Sequence, residues 1–251
     1  MSVVTSVLQA NKPKKQFAAQ SIFAADGTEV FSGTWNPQSI FKVLTPDPSF
    51  WQGKTVLEIA ANTGGLSVEM ARAGAIVTMT EPDPYKNALA LSRSVLDQLI
   101  ADEGLDLTIK ELDFFQCREL PKHDVIVCLG LVYHFRHPQL MLDMLSAMQP
   151  DWLFISTQTH PSNDLAMFNR MHPGIMREDF YNKTDLVLSG WHPTRTLFAR
   201  MLLASGFDCI EGLTTEDFPK VTKGVTNSAY FKARLMNPVN VDVEMMRYHP
   251  R

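Results

Sequence analysis

The sequence predicts an α/β fold built on a doubly wound, mostly parallel sheet. From Thr55 onward, short apolar runs alternate with stretches of helical spacing. The first run, Thr55–Ala60 (TVLEIA), is β-branched at its start and ends in a turn signal, as a buried parallel strand does. Length and composition agree: 251 residues, 45% hydrophobic and 20% charged, accommodate one large α/β domain with an ordinary core and no need of disulfides.

Residues 1 to about 50 do not read as regular α/β. Phe17, Phe23, Phe31, Trp35, Phe41, Phe50 and Trp51 punctuate a mostly polar run, and so many aromatics argue against a disordered tail. We expect an N-terminal extension, 1–50, packed on a main domain, 51–251. Within the main domain, a helix over Leu66–Ala73 stops at Gly74. Strand Ile76–Thr80 and helix Asn87–Ile100 come next, then strands Thr108–Leu112 and Asp124–Leu129. Helix Leu140–Met148 and a fifth strand, Trp152–Thr157, follow. Residues 160–190, rich in Met and aromatics, break the rhythm and read as a lid-like insertion, with covering the sheet as core as the plainer alternative. A helix over Thr194–Ser205 and two late strands, Asp208–Leu213 and Ser228–Leu235, complete the chain.

Charge narrows the partners. There are 23 basic and 27 acidic residues, a net charge of -4. Nucleic-acid binders usually carry a basic excess or stripe. The balance favours a small-molecule substrate, although a local basic patch can coexist with an acidic total. Cys117, Cys128 and Cys209 form no C-x-x-C pair or metal spacing, which predicts reduced thiols and no metal. No apolar signal region follows the first residues, and no stretch approaches the ~18 apolar residues of a membrane span. We expect a cytoplasmic protein.

Two motifs carry the chemistry. In Val56-Leu57-Glu58-Ile59-Ala60-Ala61-Asn62-Thr63-Gly64-Gly65 a strand runs into a tight turn that opens a helix. Ligands of open α/β sheets bind outside the carboxyl ends of the strands. Gly64 and Gly65 lack a Cβ and let a ligand approach, and Glu58 is placed to accept from a cationic amine. The plain alternative is an ordinary strand–helix turn. Glu81 ends the second strand 23 positions after Glu58. An acid about 20 residues beyond such a turn is the ribose-hydroxyl acceptor of nucleotide-binding α/β folds. Alternatively, Glu81-Pro82-Asp83-Pro84 is a surface turn.

VLEIAANTGG, TEPD, LDFF and DVIVCLGLVYH, in that order, resemble the class I S-adenosylmethionine (SAM)-dependent methyltransferases over about residues 30–235. The resemblance implies their Rossmann-like sheet, SAM as cofactor and methyl transfer as activity. It implies that Glu58, Ala60, Asn62 and Gly64 line the methionine part of SAM. It also implies that Glu81 with Pro82 holds the ribose, that Asp113 and Phe114 meet the adenine, and that Leu129 to Tyr133 pass under the sulfonium. Trp35, in the extension over that site, is expected to contact the cofactor as well. One position departs from the family: Ala60 stands where Gly is usual, and Ala cannot take a positive φ without strain.

A narrower resemblance, in Cys128-Leu129-Gly130-Leu131-Val132-Tyr133-His134 and Gly33-Thr34-Trp35, is to the tRNA wobble-uridine carboxymethyltransferases. Those enzymes use carboxy-SAM, held by a Lys five positions after the Trp. Here that position is Ile40, which offers no cation; the nearest Lys is Lys42. The chain reads as a relative that uses ordinary SAM on another acceptor.

A hydroxyl or carbon acid acceptor also needs a base. His134 and Tyr133 follow the fourth strand, and His160 ends the fifth, so all three are catalytic candidates. The alternatives are a backbone-bonded His134 and a solvated loop His160. Tyr133 is also a cofactor or acceptor contact by resemblance. Trp191 and Arg195 are candidate substrate contacts at a helix start, with His192 a third-ranked base and Thr194 or Ser189 as cap. The leading reading is methyl transfer to an oxygen, nitrogen or carbon of a small molecule. The tRNA-modifying enzyme and a non-catalytic SAM-binding protein are the alternatives. An NAD oxidoreductase is disfavoured, because A-A-N-T-G-G lacks the G-x-G-x-x-G spacing.

Overall fold

The computed structural model describes residues 16–45, 47–82, 88–135, 137–162, 164–169, 191–213 and 228–240. The described residues fall into two compact units, one up to Cys128 and one from Leu129 onward.

The extension contains regular elements too short for a periodicity reading. Strands β1 (Gln16–Gln20), β2 (Ile22–Phe23), β3 (Glu29–Phe31) and β4 (Gly33–Trp35) precede helix α1 (Pro37–Leu44). β1 runs parallel to β4, and β2 pairs antiparallel with β3. Helix α1 starts where Asn36 accepts from the Ser39 N–H at 3.1 Å, ahead of Pro37. Its buried residues, Pro37, Ile40 and Leu44, form one face at helical spacing. Trp51 is fully buried, stacks on Phe41 and donates its Nε1–H to Thr45 Oγ1 at 2.5 Å. Phe41 and Phe50 thus pack on the Trp51 ring at the junction of extension and main domain.

Strand β5 (Thr55–Ile59) pairs parallel with β6 (Ile76–Thr80) and with β8 (Val125–Cys128); β6 pairs parallel with β7 (Leu107–Lys110). Helices α2 (Gly65–Arg72) and α3 (Ala88–Glu103) alternate with them. Val125, Ile126, Val127 and Cys128 are all at most 1% exposed, as in a strand covered on both faces. β5 is flanked on one side by the strand that follows it and on the other by β8. Its carboxyl end is thus the switch point where open α/β sheets take ligands.

The second unit holds helix α4 (Pro138–Ala147), strand β9 (Trp152–Gln158) and the short pair β10 (Met167–Asn169) and β11 (Trp191–Pro193). Helix α5 (Arg195–Ala204) and strands β12 (Phe207–Leu213) and β13 (Ser228–Leu235) follow. β13 lies between β9 and β12, antiparallel to both. The seven-stranded sheet has the order β12-β13-β9-β8-β5-β6-β7, the expected mostly parallel fold with an antiparallel strand near one edge. Residues 170–190 of the expected insertion, with the candidate cap Ser189, lie outside the described residues. Among the described residues, no helix is long and apolar enough to cross a membrane.

Candidate functional site

Beyond Ile59 the backbone turns sharply. Ala60 has φ 56°, Asn62 φ 58° and Gly64 φ 82°, so three of five consecutive residues are left-handed. The Ala60 departure thus falls on a position where alanine is strained, at a cost of about 1–2 kcal/mol. At Gly64 a Cβ would stand 3.0 Å from Leu96 and Met79 side chains; at Gly65 it would collide with the Ser21 carbonyl oxygen. These glycines let helix α2 begin hard against its neighbours.

Side chains fix the turn from two directions. Asn62 donates its N–H to Glu81 Oε2 at 2.8 Å, and the Asn62 Oδ1 accepts from the N–H groups of Gln20 and Thr63. Thr63 Oγ1 donates to the Gln20 carbonyl at 2.7 Å. Glu81 therefore reaches back from the end of β6 onto the turn, which ties the two motifs together. Among the described residues its other oxygen has no hydrogen-bond partner. Burial pushes the Glu81 carboxyl up to about 7, against the lowering effect of the Asn62 N–H.

Glu58 lies deeper. It is 3% exposed, accepts a short hydrogen bond from Ser67 Oγ and also accepts from the Gln20 carboxamide. Burial raises its pKa to about 8, those two bonds oppose the rise, and the nearby Glu81 adds to it. Both of these partners are side chains of the protein itself.

The adenine candidates sit on a turn anchored to the same strand end. Cys117 Sγ is 3.4 Å from Thr80 Oγ1, and the Cys117 N–H donates to the carbonyls of Asp113 and Phe114. Asp113 and Gln116 cap each other reciprocally at 2.9 and 3.0 Å. Phe114 is buried, whereas Phe115, which the motif reading passed over, is 56% exposed and edge-on to it. Pro82 is exposed, and Trp35 is half-buried with its carbonyl accepting from the Ser21 N–H.

The second unit gathers the reaction candidates. Leu129 and Gly130 leave β8, and the Gly130 N–H donates to Ser156 Oγ at 2.9 Å. A 3-10 turn, Val132–His134, then presents Tyr133 and His134. The Tyr133 ring lies 4.3 Å from the His134 ring and edge-on to His192 at 6.1 Å. Burial pushes the Tyr133 phenol up to about 12; Tyr230 is raised to about 12 by burial and by Tyr133. Sequence gave no signal for Tyr230, which arrives from β13. His134 is exposed as a residue, and partial burial of its imidazole lowers the pKa, which favours the neutral form. Its imidazole has no hydrogen bond among the described residues.

His160 is differently placed. Its Nδ1 accepts from the Ser162 N–H at 3.2 Å, so the neutral ring carries its proton on Nε2. Its own N–H donates to the Pro193 carbonyl, which sets it beside Trp191–Pro193. Thr194 caps α5 by accepting from the Leu197 N–H, and the Arg195 guanidinium lies over the Phe231 ring at 5.6 Å.

A seven-stranded, mostly parallel sheet with flanking helices and one antiparallel strand next to an edge is the class I methyltransferase, Rossmann-like fold. The chain belongs to the family described as the methyltransferase domain, whose model matches residues 34–211, and it is an enzyme of that kind. No curated protein matches it in sequence. Solved structures share the fold. The N-terminal domain of EvdMO1 with SAH bound has a TM-score of 0.61 at 15% identity, with 92% of this chain and 95% of that one covered. Magnesium protoporphyrin IX methyltransferase from Synechocystis PCC 6803 with bound SAM gives 0.55 at 16%, over 79% and 77%. The Burkholderia thailandensis 1,6-didemethyltoxoflavin-N1-methyltransferase gives 0.54 at 14%, over 78% and 79%.

Proposed function

We propose that this protein transfers a methyl group from SAM to an oxygen, nitrogen or carbon nucleophile of a small molecule. The observation that carries the reading is Glu81, at the end of β6, bonded by one oxygen to the Asn62 turn at the end of β5. Its second oxygen suits a ribose hydroxyl, and Phe115 or Asp113 suits the adenine. Asn62, Gly64 and the strained Ala60 shape the turn for the methionine part, with Glu58 supporting it from behind. SAM supplies an electrophilic methyl on a sulfonium and leaves as the neutral thioether. The protein's own tasks are to hold the reactants in line and to take the acceptor's proton.

For that proton we favour His134 over His160. His134 is neutral with no hydrogen bond on its ring among the described residues, whereas the lone pair of His160 is engaged by Ser162. Tyr133 stays protonated near neutral pH and can donate to the acceptor. Leu129 and Tyr133 remain the proposed contacts near the sulfonium, and Trp191 and Arg195 the proposed acceptor contacts. Residues 1–50 serve as an extension over the cofactor turn and 51–251 as the methyltransferase domain, with 160–190 as its lid. A reducing, cytoplasmic setting suits the free buried thiols Cys117 and Cys128.

Transfer of a carboxymethyl group to a tRNA wobble uridine is the weaker reading. Ile40 is 5% exposed on the core face of α1, and Lys42 is exposed on the same helix, away from that face. Calorimetry with SAM and NAD tests the cofactor: SAM binding with Kd at or below about 10 µM supports the proposal. NAD binding without SAM binding overturns it. Labelled SAM screened against phenols, carboxylates and amines then identifies the acceptor.

A further inference from the structure

Gln20 makes three hydrogen bonds to the cofactor turn and the helix it opens. Helix α2 has Gly64 as its N-cap, and that residue supplies no side-chain cap. The first-turn N–H of Leu66 is instead met by Gln20 Oε1 at 2.7 Å. The other end of the same carboxamide donates to Glu58. The Gln20 backbone N–H donates to Asn62 Oδ1 at 3.2 Å, and its carbonyl accepts from Thr63 Oγ1 at 2.7 Å. Four positions of the turn, 58, 62, 63 and 66, are thus bonded to one residue 6% exposed and more than 35 positions away in sequence.

The chemistry of the contacts is selective. A neutral carboxamide accepts from a helix N–H with its oxygen and donates to a carboxyl with its nitrogen, whatever the pH. An acid there would repel Glu58, and a lysine could not accept from Leu66. The two non-glycine left-handed residues of the turn, Ala60 and Asn62, need outside support to persist. Glu81 holds Asn62 from one side and residue 20 holds it from the other.

We propose that Gln20 is a positioning residue for the SAM site: it sets the left-handed turn before the cofactor arrives, by capping α2 from outside the helix while holding Glu58. This rests on the SAM reading above. The side chain acts through the turn and not on the methyl group.

The test uses the full chain with Gln20→Met, Gln20→Ala and Gln20→Glu, and SAH as the probe. Gln20→Met keeps the volume and removes both polar functions. If the side chain only fills space, Gln20→Met binds SAH like the parent and Gln20→Ala does not. Positioning predicts that both weaken SAH binding at least about tenfold, raise KM for SAM, and leave kcat at saturating SAM within about twofold. Gln20→Glu adds a third carboxyl beside Glu58 and Glu81, with the Cys128 thiol also near. Protonated, the new carboxyl imitates the carboxamide; ionised, it repels Glu58. Its SAH affinity relative to the parent is therefore expected to fall about tenfold or more between pH 6 and pH 9. Parent-like affinity in Gln20→Met, or a flat pH ratio in Gln20→Glu, overturns the inference. If the parent itself binds no SAH, the SAM reading fails. Gln20 is then judged by amide exchange at Asn62 and Leu66 without ligand: faster exchange in Gln20→Met supports it, and unchanged exchange overturns it.

Discussion

At the scale of single residues, a strained alanine and two buried acids, Ala60, Glu58 and Glu81, carry the testable consequences. Ala60 is held at φ 56°, so Ala60→Gly relieves about 1–2 kcal/mol of strain and costs about 0.5–1 kcal/mol of unfolded-state entropy. The net expectation is a thermal midpoint higher by about 1–4 °C, read by calorimetry, while Ala60→Val lowers it. Glu58 gives a pH signature. Its folded pKa of about 8 lies above the ordinary 4.5, so the folded state keeps a proton that the unfolded chain has released. Stability therefore falls as pH rises from about 4.5 to about 8 and levels off above. Glu81 acts in the same direction up to about 7. Thermal midpoints measured from pH 5 to pH 8.5 should show the fall, and Glu58→Gln should flatten most of it. An equally steep profile in that variant would mean that Glu58 is not the buried acid responsible. The motif residues were legible because a Gly-rich turn and an acid two dozen positions later are a spaced pattern. Gln20 was not, because nothing in Ala18–Ala19–Gln20–Ser21 announces what a distant turn will require of it.

At the scale of elements, the main-domain strands and helices lie within a few residues of their predicted limits. Their apolar runs are long enough for the period to show, as in Ile76–Thr80 and Ser228–Leu235. The extension shows no α/β rhythm in sequence because its strands β2, β3 and β4 have two or three residues each, fewer than a period needs to declare itself. The contact between extension and main domain is tight enough to test. Gly65→Ala drives a methyl into the Ser21 carbonyl oxygen, so the chain between β1 and β2 must move away from α2. We expect a loss of about 1–3 kcal/mol in denaturant unfolding, with weaker SAM binding alongside. Unchanged stability would place the extension further from α2 than described.

At the scale of the whole molecule, the fold was readable and the chemistry only in part. The parallel strands pointed to the sheet, whereas the partners of Tyr133 come from segments far apart in sequence, His192 and Tyr230, which no spacing rule connects. Two outcomes follow for the intact enzyme. His134→Ala should lower turnover of a hydroxyl acceptor about 100-fold or more with SAM affinity nearly unchanged. Full turnover in that variant would indicate an acceptor already ionised, activated by proximity alone. Competition between SAM and carboxy-SAM should show no preference for the carboxylated form, since α1 presents Ile40 and no cation on its buried face. A strong preference would restore the tRNA reading.

The place of β13 has a consequence for biogenesis. It lies between β9 and β12, yet it is made after both. A nascent chain halted before residue 228 holds two strands whose shared neighbour does not yet exist. Their unmet N–H and C=O groups are then open to other chains. At about 5–20 residues per second, the interval between completion of β12 and of β13 lasts on the order of seconds. During that interval this half of the sheet cannot reach its final pairing. Its vulnerability to aggregation should therefore depend on translation speed through residues 214–235, and premature termination there should yield insoluble product rather than a shortened enzyme.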